Sequence, residues 1–473
     1  MAQLERKLGL WAAISIVIGS VIGSSIFMKP SSMAAHLSSP LMLLAVWVVA
    51  GIVSLFGGMI NAEVGCAIPE TGGQYAYFRY MYGNFFAYLF GWSSFVVIDT
   101  ASISAIAFVF AQYSEYFVHL PRFSANIEHA VPFVIPYIGK FYLLENIGVK
   151  ALAVVLILVF SWINVRSVKA GGAVQVFFSF LKVAALIFLI VVIFFSGKGH
   201  LGNLSTASPT FDRSFWHQLT AFIAATTGAL AAYDGWNNLG FVGGEIREPQ
   251  RNIPQGLIIG LLLCMLLYVL TTEAYLYMMP VDEMKNSKLV ASDALYKIMG
   301  VGGGGLIAAL VLICTAGCTN SNILPCSRVI YAMSHEKNFF EFAGKVNPKY
   351  RTPSNALWFQ ASWGTVLVLI GSFDMLMDMF VFITWIFYGF AAYGIFILRK
   401  KMPGVRPGYR LKGYPVLPLV FIAFSTLYVV ITLYNDISDY AAGRSHIIVS
   451  VFGLILTAIG VPLYWYFNRR QLK

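Results

Sequence analysis

Charge is scarce in this chain. Only 11% of its 473 residues are Asp, Glu, Lys or Arg, against about 25% in an average soluble protein. Cysteine is scarce too: Cys66, Cys264, Cys314, Cys318 and Cys326 all fall within or at the ends of apolar stretches. Cys314 and Cys318 are four apart on one helical face, as ligands are in some metal sites. No histidine stands near them, so packing in helix contacts is the expected role. The seven histidines lie mostly at the ends of apolar stretches or in loops, and none pairs with acids at metal-ligand spacing. An intramembrane enzyme would need such a cluster at one depth, and a receptor would need seven spans with a signalling loop or domain. Neither is the expected class, and no metal or cofactor is expected. There is no low-complexity tract and no soluble appendage. The net charge of +11 therefore reflects loop charge bias rather than nucleic-acid binding.

What the chain has in abundance is apolar length. Residues of the apolar set make up 58% of it, mean hydropathy is +0.74, and they fall in long runs. Runs of about 18 or more apolar residues are spanning-helix candidates. Twelve are predicted, at about 9–36, 40–66, 83–117, 149–165, 172–196, 216–243, 254–279, 291–333, 354–372, 375–398, 413–435 and 446–468. The span at 83–117 is long enough to tilt, and 291–333 is long enough to run past the membrane surface. Met1–Leu8 leads straight into the first span without a small-residue cleavage pattern, so an uncleaved first helix is expected. An even number of spans puts both termini on one side. With that side cytoplasmic, inner segments hold 21 of the 32 Lys and Arg, outer segments hold 10, and Lys182 lies inside a span. That bias predicts cytoplasmic termini. The aromatic, glycine-rich connection 66–82 is expected to be a short amphipathic or re-entrant piece at the inner surface.

Two of the predicted spans are interrupted. The first carries Gly19-Ser20-Val21-Ile22-Gly23-Ser24-Ser25-Ile26-Phe27, and the second, five spans later, carries Ala231-Ala232-Tyr233-Asp234-Gly235-Trp236-Asn237-Asn238. Exposed backbone in hydrocarbon costs several kcal/mol per unsatisfied group, so such breaks belong around a protected solute site. Five spans is an odd number, so the second unit starts from the opposite membrane face. That is the arrangement of an inverted repeat, with residues 1–196 (spans 1–5) and 216–398 (spans 6–10) as its halves and 413–473 as an extra pair of spans and a tail. A broken helix presents free N–H groups at one half-helix start, suited to a carboxylate, and free carbonyls at the other half-helix end, suited to an ammonium. Gly23, Ser24 and Ser25 are small enough to expose their N–H groups. The competing reading of Gly19 and Gly23 is a small-xxx-small helix contact.

Lys182 stands in Phe-Phe-Ser-Phe-Leu-Lys-Val-Ala-Ala-Leu-Ile-Phe. A central lysine costs about 2.5–3.5 kcal/mol on insertion scales, so it should face protein. It is either a fixed or protonatable charge where a coupling sodium would sit, or a tether to backbone carbonyls. Asp234, inside the second break, either faces the cavity or caps the half-helix that follows. Glu63 precedes a Pro-Glu-Thr-Gly-Gly turn and reads as structural. For Asp99 and Glu273 pairing and pathway roles both stay open.

These residues resemble the amino acid–polyamine–organocation transporter superfamily, and most closely its L-type amino-acid transporter branch, in particular a bacterial serine/threonine or alanine–serine–cysteine exchanger. The matching pieces are Gly19-x-x-x-Gly23-Ser24-Ser25-Ile26-Phe27, Pro69-Glu70-Thr71-Gly72-Gly73 and Ala232-Tyr233-Asp234-Gly235-Trp236-Asn237. Two more are Glu245-Ile246-Arg247-Glu248-Pro249-x-Arg251-Asn252-Ile253-Pro254 and Phe396-Ile397-Leu398-Arg399-Lys400. The resemblance implies an all-α integral membrane protein of twelve transmembrane helices, a five-plus-five inverted repeat with helices 1 and 6 broken. It also implies sodium-independent exchange of neutral L-amino acids across the cell membrane. By the same carry-over, N–H groups around Ile22, Gly23, Ser24 and Ser25 would hold the substrate carboxylate. The carbonyls of Val21, Ala231, Ala232 and Asp234 would hold its ammonium. Lys182 would contact the broken first helix in place of sodium, and Tyr233, Trp236 and Asn237 would serve gating or coupling. Two positions depart from the pattern. Relatives usually carry Gly where this chain has Ser25, and a bulky aromatic gate where it has Ala231. The outer loop 118–148 lacks the cysteine through which animal relatives join a single-span glycoprotein, so no such partner is expected. Partners are then amino acids and the lipid bilayer. The nearest alternative is a proton-coupled symporter, or a carrier of cationic amino acids with Asp234 as counter-charge.

Overall fold

A computed structural model describes residues 8–68, 73–130, 132–166, 169–207, 214–350, 352–402 and 408–471. In chain order its α-helices are α1 (Leu10–Val21), α2 (Ser25–Leu37), α3 (Pro40–Ala67), α4 (Gly73–Tyr82), α5 (Asn84–Ser93), α6 (Asp99–Ser114), α7 (Ala125–Glu128), α8 (Ile147–Arg166) and α9 (Lys169–Phe195). Then come α10 (Phe215–Tyr233), α11 (Pro249–Met278), α12 (Val281–Met284), α13 (Val290–His335), α14 (Ser354–Ile370), α15 (Phe373–Lys401), α16 (Val416–Ala441), α17 (Val449–Ala458) and α18 (Gly460–Gln471). Each apolar run of the sequence coincides with a helix or a helix pair. Among the described residues eight helical stretches are long and apolar enough to cross a membrane, or nine with the bent pair α1–α2 as one span. The helix within 172–196 is described as apolar only over Phe180–Phe195, and α14 has 17 residues. The motif residues Pro69, Glu70, Thr71 and Gly72 lie outside the described residues.

The chain is mostly helical, with one small hairpin beside the helices. In the 118–148 loop, β1 (Phe133–Ile135) pairs antiparallel with β2 (Gly139–Phe141), and Tyr137 makes the turn with φ 65°.

Residues Met1–Ala87, Ser179–Ile307 and Trp385–Ile431 form one compact unit. Its centre is α3, α10 and α11 with α1 and α2. Of these, α1, α3 and α11 are apolar on most sides, as helices within a bundle in lipid are, whereas α2 carries Lys29, Ser31, Ser32 and His36. Their close approach comes from small residues. Gly256 and Gly260 of α11 face α1, where an added Cβ would lie 2.8 Å from Ala13 Cβ and 2.7 Å from Val17 Cγ1. The small-xxx-small contact of the first helix is thus made by glycines of α11. An added Cβ on Gly23 would meet nothing nearer than 3.9 Å, so helix packing does not explain that glycine. The segment 66–82 contains α4, which buries Gln74, Tyr77, Phe78 and Met81 and leaves Arg79 and Tyr80 exposed, the two faces of an amphipathic helix.

Residues Tyr88–Phe178, Ala308–Thr384 and Thr432–Lys473 form the other unit. Here α6, α8 and α14 pack together, and a π-helical turn, Ser94–Ile98, joins α5 to α6. A π turn shifts the hydrogen-bond register and frees backbone acceptors. Thr100 Oγ1 donates to Phe95 O at 2.5 Å and Trp363 Nε1 to Val96 O at 2.8 Å. Lys150 is buried, with Nζ donating to the carbonyls of Tyr142 (2.7 Å) and Leu369 (2.9 Å). It tethers a loop to the end of α14.

Candidate functional site

The first interruption is short and sharp. Helix α1 ends at Val21, the Ile22 N–H closes on Ile18 O at 2.8 Å, and α2 starts at Ser25, bent 47° from α1. Among the described residues no backbone hydrogen bond engages the N–H groups of Gly23, Ser24 or Ser25. Ser24 and Ser25 are nevertheless 3% and 4% exposed. Three N–H groups therefore meet at the positive end of α2, a ready anion cradle.

The second interruption follows α10. Asp234 leaves the helix with extended backbone (ψ 152°), Gly235 turns with φ 110°, and a 3₁₀ helix, Trp236–Glu245, replaces the expected second α-helical half. Only glycine adopts that φ freely. It also has to be glycine for space, since a Cβ there would lie 2.6 Å from Ser20 O. The two interruptions are in direct contact. An isolated bridge between Leu8 and Ile246, with Arg247 N–H on Leu8 O at 2.8 Å, ties the segments again.

Of the residues marked in the sequence, Val21, Ile22, Ala231, Ala232, Tyr233 and Trp236 are buried, and Asp234 and Asn237 half-buried. Lys182 is buried, and its Nζ donates to Gly19 O at 3.1 Å. Tyr233 donates to Trp47 O at 3.0 Å. The Asp234 carboxylate accepts from Tyr388 Oη at 2.6 Å, and the Tyr388 ring lies 4.8 Å from that of Trp236.

Three groups in the site escaped the sequence reading. Tyr268 of α11 donates to both Val21 O and Ala232 O, at 2.9 Å each. Tyr388 holds Asp234. Lys29, on the outer side in the charge reading, is 3% exposed in α2, one turn beyond Ser25. Beside Trp236 and Tyr388 lies a small pocket, lined also by Asn61, Gln74, Tyr77 and Phe421.

Glu63 is structural, as expected. It takes two 2.8 Å bonds from Arg399 and a 2.7 Å bond from the Leu411 N–H, and Arg399 stacks 3.7 Å over Tyr414. Burial, with Glu63 and Cys66 beside it, pushes the Tyr409 phenol in the adjoining loop above its ordinary value. Asp99 accepts from the Ser94 hydroxyl within its own unit. Glu273 is half-buried in α11. Among the described residues no group of three His, Cys, Asp or Glu is placed to hold a metal ion.

Residues 8–459 match the model of a family described as amino acid permease. The chain is 30% identical over 471 residues to the serine/threonine exchanger SteT of Bacillus subtilis (strain 168), which covers 99% of this chain and 98% of that protein. It is 31% identical over 400 residues to the b(0,+)-type amino acid transporter 1 of Homo sapiens, covering 84% and 77% of the two chains. With the Asc-type amino acid transporter 1 of Mus musculus the identity is 28% over 470 residues, or 98% and 81%.

Proposed function

Because this chain belongs to the amino acid permease family, a family of multi-pass cell-membrane transporters of small molecules, we propose that it exchanges neutral L-amino acids by alternating access, without sodium. The observation that carries this reading is the pairing of the two interruptions. The N–H groups of Gly23, Ser24 and Ser25 lie at the start of α2, Val21 O and Ala232 O converge on the one Tyr268 hydroxyl, and the two breaks touch at Gly235 and Ser20. That pairing of donors and acceptors complements a zwitterionic α-amino acid. In this proposal the N–H groups of Gly23, Ser24 and Ser25, next to Ile22, take the carboxylate. The carbonyls of Val21, Ala231, Ala232 and Asp234 take the ammonium. The Lys182 ammonium on Gly19 O supplies a fixed positive charge at the first break, so no sodium is needed there. Tyr233, Trp236 and Asn237 move with the second break as the gate opens and closes. Small Ala231 leaves room that an aromatic side chain would fill.

The same proposal has twelve crossings, a five-plus-five inverted repeat over 1–196 and 216–398, cytoplasmic termini, and no disulfide-linked glycoprotein partner. The relatives named for serine/threonine and Asc-type transport support small neutral substrates. The test is radiolabelled serine uptake into proteoliposomes with and without internal amino acid, followed by competition with all twenty amino acids. An exchanger takes up label only into loaded vesicles, equally in sodium and choline. Uptake that ignores internal amino acid and follows a sodium gradient would sink this reading.

A further inference from the structure

The small pocket beside Trp236 and Tyr388 has walls from α3, α4, α15 and α16, and among the residues lining it only Trp236 belongs to the segment after the second break. Gly57 and Asn61 stand one helical turn apart on α3 and present the same face to it. The Trp236 ring lies close over that face, since a Cβ on Gly57 would stand 3.1 Å from Trp236 Cζ2. From α4 comes Gln74, 2% exposed, and among the described residues no group donates to its Oε1. A buried acceptor left without a donor costs about 1–3 kcal/mol. Asn61 and Tyr388 bring an amide and a hydroxyl to the same pocket, which has room for about one water molecule. A buried water takes roughly two to four polar partners, and these three groups supply them. The walls are also pinned to one another. Arg399 of α15 holds Glu63 of α3 at 2.8 Å, Tyr82 of α4 donates to Phe390 O at 2.6 Å, and Lys401 Nζ donates to Met81 O at 3.1 Å.

We propose that this pocket is a hydration site in which one ordered water joins α4 to the second break and eases substrate release on the α4 side. The water donates to Gln74 Oε1 and to the Tyr388 hydroxyl, and accepts from the Asn61 amide N–H. Tyr388 passes its own proton to Asp234 Oδ1 at 2.6 Å, so the chain of donors runs from α4 to the break. The role in release rests on the amino-acid exchange reading above, in which Trp236 moves with the second break. The pinned walls of α3, α4 and α15 stay in place while that ring leaves. A ring that leaves a hydrated pocket uncovers a place where more water can follow. One that leaves a dry pocket opens a gap between apolar walls and forfeits its contacts there. The water therefore lowers the barrier to opening.

X-ray radiolytic labelling reads the site directly, because hydroxyl radicals formed from a bound water oxidise the side chains beside it. Met81 lines the pocket and is 2% exposed, so a dry pocket would protect it. In the full chain in nanodiscs we expect Met81 to be oxidised. The oxidation should be lost in Gln74→Leu, which removes the acceptor, and in Ala392→Val, which fills the pocket with methyl groups. Ala392→Ser keeps the space and should keep the label. In proteoliposomes Ala392→Val should exchange with a kcat about tenfold lower, equivalent to about 1.4 kcal/mol in the barrier, and with KM little changed. Ala392→Ser should exchange like the wild type. Wild-type Met81 that stays unlabelled, or label that survives both Gln74→Leu and Ala392→Val in monodisperse protein, overturns the hydration site. Should one of those variants not fold, the other decides. Loss of label with an unchanged kcat overturns the role in release. Wild-type protein that labels at Met81 but moves no amino acid overturns the exchange reading, and the release role with it, while supporting the hydration site.

Discussion

Gly235 is where a single carbon would push the two interruptions apart. Its φ of 110° lies where L side chains are strained, and a Cβ added there would lie 2.6 Å from Ser20 O. Strain and contact act together, so Gly235→Ala should cost more than the ~1–2 kcal/mol of a left-handed backbone alone. We expect uptake by this variant to fall to background in proteoliposomes. Gly202→Ala, whose Cβ would meet nothing within 4 Å, should retain it. Equal uptake by both would remove the contact from the mechanism. Residues of this kind were legible in the sequence because they are anomalies: glycines inside a span, a lysine amid phenylalanines. Tyr268 and Tyr388 were not. A tyrosine in a membrane helix is unremarkable until its partner is known, and Tyr268 finds Val21 across 247 positions of sequence.

Among elements, agreement was closest where hydropathy alone decides. The long runs became helices because burial in lipid and burial in a bundle make the same demand on composition. Hydrogen-bond register carries no compositional signature. The 3₁₀ segment Trp236–Glu245 and the π turn Ser94–Ile98 were therefore invisible beforehand. The link between α3 and α15 shows how one element fixes another. Glu63 is 4% exposed at its side chain and Arg399 21%, and the carboxylate accepts from both the guanidinium and the Leu411 N–H. Removing one partner of such a pair leaves a buried charge and costs about 3–5 kcal/mol. Arg399→Ala should accordingly lower the melting temperature of the detergent-purified protein. Combining Glu63→Gln with Arg399→Met should recover part of the loss. A single variant as stable as wild type would mean that the pair is solvated and contributes little.

For the whole molecule the open question is which way round it sits, and charge addresses it. Lys and Arg concentrate in segments on one side of the proposed membrane, 21 against 10, with Lys182 inside a span. Lysine and arginine in short loops are retained on the cytoplasmic side during insertion. The hairpin turn at Tyr137 would then face outward and the loop at Lys349 inward. Both positions are exposed, Tyr137 at 92%, so thiols placed there are accessible to reagents. The five native cysteines offer little competition, four of them being buried and Cys326 partly so. In intact cells a membrane-impermeant maleimide should label Tyr137→Cys, and should label Lys349→Cys only after permeabilisation. The opposite pattern would invert the molecule. The half that begins at α1 would then start from the outer face, and the proposed carboxylate and ammonium sites at the two breaks would exchange sides with respect to the cytoplasm.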